Sequence, residues 1–308
     1  MLIAVVGWLA CFVGGVALQR RLRDPDRWSH LIFQAVLWVF SPLAVLYAYT
    51  TVEVRLELLA AFACVVAASW VMLLVGMAWG RFGGRDRAEA GALACTTTLS
   101  NTAILGYPIA ILAFGGPGLA LAVVYTEFQF LIPTLGVVLG LARHYAGPRS
   151  RGGAAPGLRQ LFRSWLLNPP VVVGAVAVAL RLLGVDITAL VAPIGSVVGL
   201  VIGFIGFLQL GLAISLEPLR HTRGDVWRTA VTVVLRSCLA PLVLFGLGRL
   251  TGIAVPGVLL LLSAMPVSFY SLIVSTVFDL DRELARLIVA VSTVTVIAGV
   301  VVWQGTLA

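Results

Sequence analysis

Apolar runs close to 20 residues long follow one another along the whole chain, separated by short polar loops. A helix needs about 20 apolar residues to cross some 30 Å of hydrocarbon. The pattern therefore predicts an all-α membrane protein with ten transmembrane helices. The predicted spans are 1–18, 29–51, 56–80, 88–114, 117–142, 166–183, 189–216, 226–249, 254–278 and 283–305.

One long connection, residues 143–165, is rich in glycine, proline and arginine, which is typical of a loop. It divides the chain into residues 1–142 and residues 166–308, and each part holds five predicted spans. Because five is odd, two repeats of this kind must lie in opposite orientations in the membrane. The sequence thus predicts two inverted five-helix repeats, an arrangement found in many secondary transporters.

The fourth span of each half carries proline at its centre. The first reads LSNTAILGYPIAILAF and the second reads LLLLSAMPVSFYSLIV. Lipid cannot satisfy the backbone groups that a broken helix frees, so they must face protein or a wet cavity. Matched breaks of this kind predict a transporter's binding site. The predicted substrate-binding residues are Asn101, Thr102, Gly106, Pro108, Pro266, Ser268, Tyr270 and Ser271.

Composition and charge agree with a membrane location. The chain is 60% hydrophobic and 11% charged, whereas a soluble domain is about 45–50% apolar and about 25% charged. The net charge of +8 comes from arginine, since the chain has no lysine. These arginines lie in short loops between apolar runs, so they indicate membrane orientation rather than nucleic-acid binding.

The arginines predict which loops are cytoplasmic. The five odd-numbered loops hold 17 of them, and the opposite side holds three, Arg55, Arg181 and Arg249. By the positive-inside rule the odd-numbered loops, including 143–165, are cytoplasmic. Both termini are then extracytoplasmic.

Two ionisable residues, Glu127 and Arg236, are predicted near mid-bilayer. Each costs roughly 2.5–3.5 kcal/mol on insertion scales, so such residues normally face a bundle interior or a cavity. One interpretation is proton coupling or charge pairing with substrate, and the other is a buried pair that locks two helices. Cysteines are single, and the three histidines lack metal-ligand spacing, so no metal or cofactor is predicted.

The same segments resemble a known family. NTAILGYP followed by FGGPGLALAVVYTEFQ is similar to the fourth and fifth helices of the auxin efflux carrier family of bacterial permeases and plant PIN carriers. NPP at Asn168–Pro170 resembles the opening of the family's second half. AMPVSFYSLIV followed by FDLDRELARLIVAVSTVTV resembles the ninth and tenth helices.

The resemblance implies a scaffold of helices one, two, six and seven and a transport domain of helices three to five and eight to ten. Helices four and nine would cross at Pro108 and Pro266, beside an organic anion. The family's fourth-helix asparagine maps onto Asn101, and its acidic fifth-helix position maps onto Glu127. The family usually has an asparagine after the ninth-helix proline, where this chain has Tyr270, so the substrate does not carry over.

The predicted function is therefore secondary transport of a small organic anion, such as a carboxylate or an auxin-like acid, by alternating access. The expected location is the inner (plasma) membrane of a bacterium, and the expected partners are its lipid bilayer and the anion. A second copy of the chain, in a homodimer, is a further candidate partner. H⁺ or no coupling ion is favoured over Na⁺. The alternative is a Na⁺-coupled symporter like the bile-acid carriers, although the spans contain no aspartate. A membrane enzyme or a receptor is disfavoured, because no paired aspartates, Ser/His arrangement or signalling domain is visible.

The arginine distribution generates a topology prediction. A cysteine placed at Gly152 in a Cys-free background should resist an impermeant thiol reagent applied outside intact cells and should react after permeabilisation. A cysteine placed at Gly252 is the control and should react from outside. Rapid external labelling at position 152 would overturn the orientation.

Overall fold

The computed structural model describes residues 2–53, 55–129, 137–147, 166–213 and 222–305. Over these residues the chain is helical, and its sheet-type pairing is one isolated bridge. Residues 148–165 of the loop predicted at 143–165 lie outside the described residues. The helices are α1 Leu2–Gln19, α2 Pro25–Ala35, α3 Ser41–Thr51, α4 Leu56–Gly83, α5 Arg87–Thr98, α6 Tyr107–Gln129, α7 Pro169–Leu182, α8 Thr188–Ala213, α9 Arg223–Val234, α10 Ala240–Thr251, α11 Gly257–Ser263, α12 Tyr270–Val277 and α13 Arg282–Gly305, with one further turn at Arg143–Tyr145.

Six stretches of the described chain are long and apolar enough to cross a membrane. They are Arg27–Thr51, Leu56–Gly83, Thr102–Gln129, Thr188–Ala213, Arg223–Thr251 and Arg282–Val302. Two shorter apolar helices, Ala4–Gln19 and Pro169–Leu182, accompany them. The prediction of an all-helical membrane protein is confirmed, while the ten-span inverted repeat stays a prediction.

The stretch Thr102–Gln129 is bent at a glycine. Gly115 has φ 68° and ψ −159°, which are not helical values, and Pro117 follows it. A positive φ of this kind costs glycine little, because it has no Cβ. The helix therefore changes direction at the point where the sequence predicts the loop between the fourth and fifth spans.

Wide, π-helical turns precede three prolines. Val36–Phe40, Thr102–Gly106 and Leu235–Leu239 are π-helical, and Pro42, Pro108 and Pro241 follow within two residues. A proline has no N–H, and its ring collides with the carbonyl four residues earlier. Widening the preceding turn relieves that collision without ending the helix.

The chain forms two compact units. Unit 1 contains the described residues of 1–55, 102–127 and 158–218, and unit 2 contains those of 56–101, 128–157 and 219–308. Each unit takes segments from both sequence halves. One of the boundaries between the units falls between Asn101 and Thr102, inside the fourth predicted span.

Close helix contacts hold unit 1 together. Trp8 of α1 stacks on Phe207 of α8 with ring centroids 5.7 Å apart. A Cβ on Gly203 would strike the Trp8 indole, so this contact requires glycine. Gln19 donates to the carbonyl oxygens of Gly211 (2.7 Å) and Leu212 (3.0 Å), which closes the end of the α1–α8 pair.

Small residues pack α4 against α5 in unit 2. A Cβ on Gly80 would collide with the Ala90 backbone, and one on Gly76 would lie 2.7 Å from the Ala94 carbonyl. This close approach is typical of membrane helix pairs. A buried apolar cluster completes the unit around α5, α12 and α13. It contains Ala92, Leu93, Val267, Leu272, Leu284, Ala285, Ile288 and Val289.

Candidate functional site

The two interrupted segments of unit 2 pair with each other. Helix α5 ends at Thr98, and the next residue is extended. Ser100 and Val267 then form an antiparallel bridge. The Asn101 N–H donates to the Pro266 carbonyl at 2.7 Å, and the Ser268 N–H donates to the Leu99 carbonyl at 3.0 Å. Each break therefore supplies hydrogen-bond partners that the other one lacks.

The break in the first segment does not lie where the sequence predicts it. Pro108 occupies the second position of α6, and the interruption covers residues 99–101, upstream of the π-helical turn. The Leu99 N–H still donates to the Cys95 carbonyl of α5, whereas the Leu99 carbonyl and the Asn101 N–H bond across the bridge. Pro266, in contrast, lies inside the second break, which separates α11 from α12, as predicted.

Side chains satisfy further polar groups around the bridge. The Val267 N–H donates to Ser292 Oγ of α13 at 3.2 Å. Ser292 in turn donates to the Val289 carbonyl. On the other strand, Ser100 Oγ and the Gln129 amide exchange hydrogen bonds of 2.8 and 2.6 Å. Buried backbone groups must be paired, and Ser292 supplies the partner of the Val267 N–H where no helix does.

Ser268 organises the start of α12. Its Oγ accepts the Tyr270 N–H at 3.2 Å, and its carbonyl accepts the Ser271 N–H at 3.0 Å. Serine is well suited to this position, because its hydroxyl replaces a missing helix partner. The predicted site residues Asn101, Pro266, Ser268, Tyr270 and Ser271 are thus near one another along the paired breaks.

Arg236 caps two helix ends at once. Its side chain is buried, with 2% of the residue exposed. Nη1 donates to the carbonyl of Thr98 at 3.2 Å, and Nη2 donates to the carbonyl of Ser263 at 2.6 Å. Thr98 and Ser263 are the last residues of α5 and α11. The guanidinium therefore joins the carboxyl-terminal ends of the two helices that lead into the breaks.

The remaining predicted site residues belong to unit 1. Thr126 Oγ1 donates to Thr102 Oγ1 at 3.0 Å, which ties the π-helical turn to the helix after Gly115. Tyr107 is buried beside Thr126. The Glu127 carboxyl group lies in the neighbourhood of Tyr49 and Tyr107. Gly106 and Pro108 lie in the same stretch. Both interpretations of Glu127 and Arg236, a functional role and a buried pair, stay hypotheses.

A partly buried ion network in unit 2 was not predicted from the sequence. Arg85 donates to Glu89 Oε1 and to Asp225 Oδ1, both at 2.7 Å. Arg228 lies 3.6 Å from Asp225 and donates to the Gly83 carbonyl at 2.6 Å. The hydrogen bond with Glu89 raises the pKa of Arg85, which stays charged. The network ties the amino-terminal ends of α5 and α9 to the end of α4.

Several residues that build the site have weak sequence signals. Ser100, Ser292 and Gln129 hold the bridge, but a single serine or glutamine in an apolar span more often serves ordinary helix packing. Arg236 stands out by its depth, whereas its acceptors are backbone atoms, which leave no mark in a sequence. Among the described residues, no group of three or more His, Cys, Asp or Glu could hold a metal ion.

The chain is similar in sequence to two archaeal proteins that are named as transporters. The chain is 26% identical over 218 residues to an uncharacterized transporter of Methanocaldococcus jannaschii, covering 70% of this chain and 68% of the relative. It is 25% identical over 231 residues to an uncharacterized transporter of Methanothermobacter thermautotrophicus, covering 73% and 71%. No family model matches the chain.

These relatives support the predicted class of protein, a transporter. Both are named as transporters and not as enzymes, in agreement with the expectation that this chain is not an enzyme. Together with the apolar helices, they indicate a multi-pass membrane protein similar to transporters.

The bridge generates a stability prediction. Ser292→Ala should leave the buried Val267 N–H without its acceptor, which costs about 1–3 kcal/mol. The purified protein should therefore unfold at a lower temperature in detergent. Thr295→Ala is the matched control, because the Thr295 hydroxyl is exposed and bonds within its own helix. Equal losses in both variants would contradict a special role for Ser292.

Proposed function

We propose that this protein is a secondary transporter of a small organic anion that works by alternating access around the paired breaks. The observation that carries the proposal is the hydrogen-bonded pairing of residues 99–101 with residues 266–268. Irregular backbone at membrane depth is tolerated only inside protein or along a wet cavity, and transporters use it to bind substrate. The transporter relatives support the same class.

The finer architecture is also proposed. Helical segments occupy the described part of each of the ten predicted spans, which supports ten helices in two inverted repeats. Predicted spans one, two, six and seven fall together in unit 1, which supports their role as a scaffold in an auxin efflux carrier-like protein. Residues 102–127, which belong to predicted spans four and five, also fall in unit 1. In the auxin efflux carrier family these two spans belong to the transport domain, so the proposed transport domain consists of unit 2 together with this segment of unit 1.

An organic anion suits the chemistry of the paired breaks. Helix α12 begins at Tyr270, directly after the second break, and a helix amino terminus carries roughly half a positive charge. Asn101 and Ser271 add donor groups of the kind that bind a carboxylate. Arg236 supplies a full positive charge to the same unit. Movement of the transport domain against the scaffold would expose this site alternately to the two sides of a bacterial inner membrane.

The first test of the proposal is Asn101→Ala. Ligands are found by thermal-shift screening of the wild-type protein against dicarboxylates and aromatic acids. The variant should bind the best ligand more weakly by about 1–3 kcal/mol, because a buried carboxylate loses a donor. Asn168→Ala is the control: it is the other asparagine of the chain, it precedes α7, and its side chain makes no capping bond. Normal binding and transport by Asn101→Ala would refute a substrate site at the paired breaks.

The second test concerns Glu127. Glu127→Gln keeps the size and hydrogen-bonding capacity of the side chain and removes its titration. If proton coupling runs through this carboxyl group, transport in proteoliposomes should lose its pH dependence while ligand binding persists. Glu57→Gln, at an exposed carboxylate of α4, should retain the wild-type pH profile. An unchanged profile in Glu127→Gln would assign Glu127 to structure.

A further inference from the structure

The ends of the interrupted helices concentrate negative charge inside unit 2. Helices α5 and α11 both end where the chain becomes irregular, at Thr98 and Ser263. A helix carboxyl terminus carries roughly half a negative charge on carbonyls without helical partners. The two ends together thus present about one negative charge. In transporters with broken helices, half-helix ends and unwound carbonyls of this kind coordinate the coupling cation.

In this chain a side chain already occupies those carbonyls. The Arg236 guanidinium donates through Nη1 to Thr98 and through Nη2 to Ser263. One positive charge therefore meets about one negative charge, and the two donors of a planar fork reach two separate helix ends. With 2% of the residue exposed, water screens this interaction little.

The local backbone holds Arg236 at this position. It belongs to the π-helical turn Leu235–Leu239, which lies between α9 and α10. Pro241 follows and cannot donate to the helix ladder, so the wide turn is a consequence of the sequence. The arginine is thus supplied by a third element, which is separate from both breaks.

We propose that Arg236 is a resident cation that takes the place of a coupling metal ion, so that the paired breaks are held together without Na⁺ or K⁺. The inference rests on the proposed function for its meaning in transport, because it predicts an anion carrier that does not require Na⁺. The role of Arg236 in holding the two breaks together does not depend on which substrate is bound. Arg236 is in this sense a positioning residue, which fixes the two breaks that would carry the ligand.

The first measurement uses the wild-type protein. Its unfolding temperature in detergent should be the same in NaCl, KCl and choline chloride at equal ionic strength. A stabilisation that is specific for Na⁺ or K⁺ over choline, and that saturates with concentration, would overturn the proposal. This measurement needs no variant and no known substrate.

The second measurement replaces the cation. Arg236→Gln should lower the unfolding temperature by roughly 5–10 °C. Millimolar guanidinium, far below denaturing levels, should restore part of the loss, whereas urea, which is neutral and similar in shape, should not. Arg249→Gln is the control, since Arg249 is exposed on α10 and contacts Phe245, and it should show neither effect. A wild-type unfolding temperature for Arg236→Gln, or equal recovery with urea, would refute the resident cation.

Arg236→Lys separates charge from shape. Lysine keeps the charge but cannot reach two carbonyls with a rigid fork, so its unfolding temperature should lie between those of the wild type and Arg236→Gln. An unfolding temperature of Arg236→Lys as low as that of Arg236→Gln would overturn the proposal. If neither variant folds, the salt comparison on the wild type decides, and stabilisation by Na⁺ would overturn the proposal. Failure of every organic anion to be transported would refute the proposed function and leave these results unaffected.

Discussion

The constraint on which the rest depends is that hydrocarbon offers no partner for a peptide group. Two helices of unit 2 are interrupted, and each interruption frees donors and acceptors that would cost several kcal/mol apiece if left unpaired in lipid. The chain meets this cost by pairing the two breaks through Asn101–Pro266 and Ser268–Leu99. Each break therefore depends on the other for these hydrogen-bond partners.

Proline does not always end a helix in this fold. Pro42, Pro108 and Pro241 each follow a wide turn through which the helix continues. Pro266 lies in a true break, where its carbonyl accepts the Asn101 N–H. The same residue type thus has two outcomes, and the difference is the presence of a second segment that can accept and donate in place of the helix.

This difference shows how far sequence reasoning reaches. The span predicted at 56–80 is close to α4, Leu56–Gly83, because the hydrocarbon thickness and the apolar run set its length locally. The break at residues 99–101 is displaced from Pro108, because it depends on pairing with residues more than 160 positions away. Arg236 is visible in the sequence as a costly charge, whereas its partners are carbonyl oxygens that every residue possesses.

In the proposed anion carrier, a capping role changes what Arg236 offers to the substrate. Its Nη1 and Nη2 groups each donate to a helix end, and a substrate that took these donors would release two buried carbonyls on every transport cycle. A guanidinium that keeps both bonds contributes its charge through the surrounding low dielectric without being desolvated anew. The donors that touch the anion would then be the backbone and side chains of the paired breaks. The positive charge would hold those groups in place during binding and release, and the energetic cost of burying it would be met once, when the protein folds.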